Sequence, residues 1–206
     1  MVNKVIRMNV NGLQRKVNSF HTWRNELDLV YKIMLALGFA ALTGLMAQVK
    51  VGLPFTPIPV TGQTFAVLLA GIMLGRWGAV SMGMYVGLGA AGIPWFTSMQ
   101  GGIGYFTGST AGYLLGFVLA AGFIGLMTER YSSVKDTKKM LGMLLIANFV
   151  LIYIPGLFFL HTWWSSFIGP IGIVQLIAVG LVPFLVGDLL KIALVTGIAK
   201  VFLPSA

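Results

Sequence analysis

Residues 171–199 read IGIVQLIAVGLVPFLVGDLLKIALVTGIA, an apolar run long enough to cross a membrane that nevertheless contains Asp188 and Lys191. These are the only two charges placed well inside an apolar segment of the sequence. A charge in the hydrocarbon region costs about 2.5–3.5 kcal/mol on insertion scales, so such a residue indicates a functional site. The i, i+3 spacing puts both side chains on one helix face, where they can neutralise each other. The pair is therefore either a structural ion pair between helices or part of a polar ligand site.

Composition predicts an all-α integral membrane protein. Hydrophobic residues make up 57% of the chain and charged residues 9%, and the mean hydropathy is +0.90. The 206 residues suit six spans of about 20 residues with short loops and leave no room for a separate soluble catalytic domain. Cysteine is absent, which is compatible with the inner (plasma) membrane of a bacterium.

Six apolar runs predict six transmembrane helices, at residues 33–49, 60–75, 77–93, 108–127, 140–160 and 171–199. The second run is short, so its helix is expected either to tilt little or to begin in a membrane-embedded loop. Residues 1–32 are expected to form a cytoplasmic tail, in part flexible or interfacial, and residues 33–206 a six-helix membrane domain. The first apolar run begins too late for a signal peptide.

The distribution of positive charge predicts the orientation. With the N-terminus inside, Lys50 lies outside and Lys191 lies within a span, which leaves 12 of the 14 Lys and Arg residues on the cytoplasmic side. The opposite topology would reverse this count. The positive-inside rule therefore predicts that both termini are cytoplasmic, an N-in/C-in arrangement.

The predicted outer loops contain apolar, aromatic and glycine residues in place of ordinary solvated linkers. Loop one, residues 50–60, contains three prolines and should be stiff. Loop three, residues 94–107, includes Gln100, Gly101 and Gly102 and is expected to close over a ligand as a lid, because consecutive glycines permit close backbone approach. Loop five, residues 161–166, contains two tryptophans that favour the interfacial aromatic belt. We therefore expect structured outer loops.

Small residues recur at helical spacing in the first run, at Ala36, Ala40 and Gly44. Such a stripe lets helix backbones approach closely in lipid. The pattern fits internal packing, and it fits equally a surface that contacts a partner subunit.

Several catalytic and cofactor signatures are missing from the sequence. It has no Gly-x-x-x-x-Gly-Lys-[Ser/Thr] motif for binding ATP, and two histidines without carboxylate clusters predict no metal site. Residues 87–92, GLGAAG, match the dinucleotide-binding string but end a predicted span and follow no strand, so they indicate helix packing. We expect no cofactor.

Polar residues inside the runs need partners in a dry environment. Asn148 and Tyr85 lie well within their spans and, with Asp188 and Lys191, would offer donors and acceptors to a small polar ligand. This set suits a cyclic urea better than a sugar or a metal ion. Further polar residues inside the runs are Gln48, Gln63, Thr64, Ser81, Tyr153 and Gln175.

Five stretches together resemble the biotin-specific substrate-binding subunit, or S component, of energy-coupling factor (ECF) transporters. They are PIPVTGQT at 57–64, AGIMLG at 70–75, GGIGY at 101–105, GSTAGYLLG at 108–116 and GDLLK at 187–191. The resemblance covers nearly everything after the N-terminal tail. Ser109 departs from the proline frequent at this position in such proteins.

The resemblance implies a vitamin pocket near the outer surface, gated by outer loops, that binds biotin with high affinity. It also implies partners, namely a transmembrane scaffold protein and two ATPase subunits, with the stripe at Ala36, Ala40 and Gly44 contacting the scaffold. The ureido ring would then meet Asp188 and Asn148, and the valerate carboxylate would meet Lys191 or loop N–H groups. An alternative is a proton-coupled secondary carrier in which Asp188 titrates. A membrane enzyme is disfavoured because no nucleophile–base pair is evident.

Overall fold

A computed structural model of the protein describes residues 26–131 and 136–202. The predicted N-terminal tail lies largely outside these residues. Within them the chain is mostly helical, with irregular loops and one pair of short antiparallel strands. The helices are α1 (Leu29–Gln48), α2 (Gln63–Leu74), α3 (Trp77–Ala90), α4 (Ala111–Arg130), α5 (Thr137–Ile146), α6 (Tyr153–Phe167), α7 (Ile173–Gly180) and α8 (Leu185–Phe202), and the strands are β1 (Lys50–Val51) and β2 (Val60–Thr61).

Helices occupy all six of the predicted apolar runs. Four helical stretches in the described part of the chain are long and apolar enough to cross a membrane, namely Leu29–Gln48, Ala111–Arg130, Thr137–Phe167 and Ile173–Val201. The helix α2 is also apolar but has only 12 residues. Large apolar side chains such as Met34, Leu45 and Leu194 are exposed on the outer surface, as expected for helices whose outer faces contact lipid rather than water.

The helix α4 lies at the centre of the bundle. It packs against α2, α3 and α6, while α8 closes the other side by packing against α2 and α5. Small residues of α4 permit this contact: a Cβ atom on Gly112 would lie 2.1 Å from the carbonyl oxygen of Pro155, and one on Gly116 would lie 2.6 Å from the Cα atom of Ile152. The same elements carry the side chains of the site described below.

The last two apolar runs are interrupted helices. Ala147–Ile152 forms a π-helical segment between α5 and α6. Pro155 lacks the N–H group that a regular helix would direct to the carbonyl of Leu151, which favours the widened turn. The 3₁₀ turn Val182–Phe184, which contains Pro183, separates α7 from α8. Residues 161–166, expected to form outer loop five, instead belong to α6.

The stripe in α1 is buried within the chain. Ala36 and Ala40 are completely buried, and the carbonyl of Ala36 accepts a 2.7 Å hydrogen bond from the hydroxyl of Ser81 on α3. A Cβ atom on Gly44 would lie 2.8 Å from the Cβ atom of Trp95. Ala36, Ala40 and Gly44 thus leave little or no exposed surface for a scaffold protein, and their expected contact with such a partner stays a prediction. Their small size serves the internal contact of α1 with α3 and with the loop that follows α3.

Loop one turns back into the bundle. Strands β1 and β2 pair antiparallel, with Lys50 opposite Thr61. Between them the hydroxyl of Thr56 donates a 2.7 Å hydrogen bond to the carbonyl of Val179, near the end of α7, and Ile58 is buried. The loop therefore reaches the level at which the last apolar run is interrupted, and α2 begins there. The second run is therefore short because α2 follows a loop that folds back into the bundle, and the membrane-embedded position of this loop stays a prediction.

Candidate functional site

The carboxylate of Asp188 is the centre of a buried polar cluster. Its residue is 2% exposed and lies in the first turn of α8, where the positive end of the helix dipole favours a negative charge. The Oδ1 atom accepts hydrogen bonds from Lys191 Nζ at 2.9 Å and from the hydroxyl of Thr64 at 3.2 Å. The Oδ2 atom accepts from Asn148 Nδ2 at 2.9 Å and from the hydroxyl of Tyr153 at 2.6 Å.

These four donors come from four different parts of the chain. Thr64 belongs to α2, Asn148 to the π-helical segment, Tyr153 to α6 and Lys191 to α8. A carboxylate offers about four lone-pair positions, so the protein occupies all of them. A ligand donor that reaches Asp188 must therefore replace one protein donor, and the contact with Thr64 is the longest of the four.

The ammonium group of Lys191 has donor capacity left. It bonds to Asp188 Oδ1 and to the hydroxyl of Thr64, each at 2.9 Å, and an ammonium group carries three N–H donors. Its side chain is 16% exposed and lines a cavity. One N–H group of Lys191 is thus available to an acceptor inside this cavity. Because Asp188 neutralises the ammonium charge, that acceptor need not be an anion.

Asn148 supports the carboxylate from behind. It is completely buried, and it is absent from the lining of the cavity. Its Oδ1 atom is buried without a hydrogen-bond partner among the described residues. The side chain therefore holds Asp188 in place through Nδ2, while its oxygen is an unused acceptor.

A cavity that is partly open to solvent lies beside the cluster. Asp188, Lys191 and Thr64 form its polar end, and apolar groups cover most of the remaining wall. The apolar part of that wall consists of Ile58, Pro59, Leu114, Phe117, Ile152 and Phe184, together with the rings of Tyr105, Tyr113 and Tyr153. The polar side chains of Thr61, Gln63, Thr97 and Thr110 also line the cavity. The chemistry of this lining suits a small ligand with one polar end and an apolar body.

The rings of Tyr113 and Tyr153 are held by contact with each other and with residues outside the cavity lining. Tyr153 is stacked on Phe149 with ring centroids 5.6 Å apart and meets Tyr113 edge-to-face at 5.7 Å. The hydroxyl of Tyr113 donates a 2.8 Å hydrogen bond to the carbonyl of Gly180, at the end of α7. The interruption after α7 thus supplies a free carbonyl that orients this ring.

A second, wider space lies outside the cavity, and we call it the vestibule. The two spaces share Pro59, Thr97, Tyr105 and Thr110 in their linings, so they are adjacent. The other residues that line the vestibule are Pro57, Ser98, Gln100, Gly104, Thr107, Gly108, Ser109, Trp163 and Phe167. None of these described lining residues carries a charge. Trp163, expected in the aromatic belt, lies at this opening.

The structure brings Asp188, Lys191 and Asn148 together but not the other predicted ligand residues. Tyr85 is completely buried and accepts a 2.8 Å hydrogen bond from Gln63 Nε2, so it lies behind the cavity wall. Gln100 lines the vestibule, and Gly101 and Gly102 line neither space. A Cβ atom on Gly101 would lie 2.5 Å from the carbonyl oxygen of Ile93, so this glycine permits a close approach within its own loop.

The first half of loop three is fastened to α1. Gln48 Nε2 donates to the carbonyl of Phe96 at 3.0 Å, and Gln48 Oε1 accepts from the N–H group of Met99 at 3.1 Å. Phe96 is completely buried, and the ammonium group of Lys50 bonds to the hydroxyl of Ser98. The expected lid is thus anchored over this half. Thr97 in this half and Tyr105 in the following 3₁₀ turn, Ile103–Thr107, are the residues of the loop that line the cavity.

Two important residues, Thr64 and Tyr153, were not among the predicted ligand residues. Both were noted as polar residues within apolar runs, and Thr64 ends the stretch at 57–64 that carried part of the resemblance. Their polarity was therefore the available signal. Their convergence on one carboxylate depends on the interruption of the last two runs, which the sequence pattern did not predict.

Comparison with known proteins identifies a family and a fold. The profile of the BioY family matches residues 15–205. The chain is similar to the probable biotin transporter BioY of Methanothermobacter thermautotrophicus, with 44% identity over 66% of this chain and 88% of that protein. It is similar to the biotin transporter BioY of Thermotoga maritima, with 35% identity over 72% and 83%. A crystal structure of the S-component for biotin from an ECF-type ABC transporter has the same fold, with a TM-score of 0.72 and 23% identity over 83% of this chain and 89% of that one.

Proposed function

The chain belongs to the BioY family, and we propose that it is the biotin-binding membrane subunit of a vitamin uptake transporter. The observation that carries this proposal is the cavity beside Asp188 and Lys191, whose polar end is neutral overall and whose remaining wall is largely apolar. Biotin has the same division, with an uncharged ureido group on an apolar ring system. Relatives named biotin transporters support the same ligand, so the chain is assigned to transport and not to catalysis.

We assign the ureido group to the polar end of the cavity. The third N–H group of Lys191 meets the ureido carbonyl, and Asp188 accepts from a ureido N–H group that replaces the hydroxyl of Thr64. Asn148 holds the carboxylate through its 2.9 Å contact and does not itself meet the ligand. The thiolane ring then packs against Phe117 and Phe184, and burial of its apolar surface adds to the affinity. High affinity is expected because the helices fix this arrangement before the ligand arrives.

We propose six membrane spans with both termini in the cytoplasm of a bacterial cell, in the inner (plasma) membrane. All six apolar runs contain helices. Arg76, at the turn between α2 and α3, forms a 3.2 Å ion pair with Glu129 near the end of α4, so these two positions lie on the same side. The positive-inside rule places that side in the cytoplasm. The vestibule then opens to the outside, as uptake requires.

The energy for uptake is proposed to come from partner chains, namely a transmembrane scaffold protein and two ATPase subunits. Two observations support this: the sequence has no P-loop motif, and the fold matches that of an S-component from an ECF-type ABC transporter. The contact surface is not assigned to Ala36, Ala40 and Gly44, which are buried in the chain.

Titration calorimetry of the full chain in detergent tests the proposal. Biotin is expected to bind one to one in the absence of ATP. No heat together with no displacement of labelled biotin would contradict it. A flux of protons into proteoliposomes on addition of biotin would favour the proton-coupled carrier instead.

A further inference from the structure

The vestibule adjoins the cavity on the side away from Asp188. The cavity spans two turns of α4, from Thr110 beside its first residue to Phe117, which is about 10 Å at the helical rise. Thr110 also lines the vestibule, whereas Phe117 and Asp188 line only the cavity. The cavity therefore has an inner end that carries both charges and an outer end that adjoins the vestibule.

The charges determine which end of the ligand points outward. At the inner end Asp188 and Lys191 already form a neutral pair at 2.9 Å. A ligand carboxylate placed there would leave one net negative charge in a poorly solvated site, which is unfavourable. The neutral ureido group causes no such imbalance. With the ureido group inside, the valerate carboxylate points to the shared residues Thr97 and Thr110 and then into the vestibule.

The vestibule has only a weak electrostatic interaction with that carboxylate. Its lining in the described part of the chain offers neutral hydroxyl groups and aromatic rings. Lys50 bonds to Ser98 of this wall, and it is exposed. An exposed ion pair changes affinity by less than about tenfold. A neutral amide in place of the carboxylate therefore loses little and can extend into open space.

From this geometry we infer that the site binds biotin whose valerate carboxyl carries an amide extension, as well as free biotin. The ligand class is thus wider than the free vitamin and includes its tail-linked amides. The inference rests on the proposed function, because it takes biotin as the ligand of the cavity. It adds a role for the vestibule as the space that receives the extension.

Competition binding to the full chain in detergent tests the inference with three probes. These are biotin, N-propyl biotinamide and biotin methylated on a ureido nitrogen. The propyl amide is expected to bind within about tenfold of biotin, whereas the ureido-methylated probe should lose more than about tenfold, because it removes a donor to a charged group. A loss of more than about tenfold for the amide overturns the inference while biotin binding, and so the proposed function, stands. No binding of biotin itself would reject the proposed function.

A substitution in the vestibule tests where the extension lies. Thr107 lines the vestibule and not the cavity, and its side chain is exposed. Thr107→Trp should weaken binding of a bulkier amide, such as biotin joined to the ε-amine of lysine, while biotin binding is retained. Thr107→Ser is the matched control and should change neither. Equal weakening of both ligands, or no weakening of the amide, overturns the assignment of the extension to the vestibule, and retained biotin binding reports that the variant is folded.

Discussion

Substitution of Asp188 by Asn tests the centre of the site most directly. The residue is 2% exposed, and its two oxygens each accept two hydrogen bonds. An amide keeps one oxygen and replaces the other with a donor, so two protein donors lose their acceptor whichever way it is oriented. Lys191 is then left as an uncompensated charge. Removal of one member of a buried pair typically costs 3–5 kcal/mol, and we expect about this loss in the free energy of unfolding.

Binding of biotin should fall as well if Asp188 accepts from the ureido group. A hydrogen bond to a charged group contributes about 1.5–3 kcal/mol, which corresponds to a loss of affinity of about 10- to 150-fold. Calorimetry and thermal unfolding of the detergent-solubilised protein measure the two effects separately. Arg76→Gln is the matched control, since it breaks the ion pair with Glu129. The side chain of Arg76 in this pair is 75% exposed. Exposed pairs contribute about 0.2–1 kcal/mol, and biotin binding should not change.

The double variant Asp188→Asn with Lys191→Met separates a structural role from a ligand contact. It removes both charges, so much of the lost stability should return. Binding should not return if the carboxylate and the ammonium group meet the ligand. A stable double variant that binds biotin with near wild-type affinity would refute the contact that we assign to Asp188. The pair would then serve only to join the helices.

Three further predictions concern single side chains around the site. Tyr153→Phe removes the 2.6 Å donor to Asp188 and should lower the melting temperature and the biotin affinity. Its control is Tyr113→Phe, because the hydroxyl of Tyr113 bonds only a neutral carbonyl. Equal effects of the two variants would contradict the central role assigned to Asp188. Gln48→Ala releases loop three from α1 and should raise the biotin off-rate by stopped-flow, and an unchanged off-rate would show that the loop is held by other contacts. Ala36→Trp should reduce both the stability and the biotin binding of the isolated chain, because Ala36 is fully buried against α3. Normal binding by the isolated chain, together with loss of biotin uptake in cells, would instead support a contact between this stripe and a partner subunit.

The sequence predicted the chemistry of the site better than its geometry. Charge within an apolar run identified Asp188 and Lys191, because such placement is costly in lipid. Tyr85 has the same polar character, but it does not line the cavity, and its hydroxyl accepts a hydrogen bond from Gln63. Polarity within a span predicts that a side chain has a partner, whereas the identity of the partner depends on how each helix is rotated. That rotation is set by packing against neighbours far along the chain.

Small residues show the same limit. The spacing of Ala36, Ala40 and Gly44 correctly identified a close-packed face of α1, yet spacing alone does not say which surface packs there. Gly101 similarly marks a close approach, but to the carbonyl of Ile93 and not to a ligand. A glycine or alanine at such a position indicates that another part of the structure packs closely there. It carries no information on what fills that space.

The interruptions in the last two runs explain why a buried carboxylate can exist at this position. The break at Val182–Phe184 starts a new helix at Leu185, so Asp188 occupies a first turn whose unpaired N–H groups favour negative charge. The π-helical segment places Asn148 against Asp188, and Tyr153 follows it at the start of α6. In an uninterrupted helix Asp188 would lack the dipole. The irregular backbone segments thus surround a cavity and contact other side chains. Non-helical backbone is tolerated within a membrane where it is buried in protein or lines a cavity.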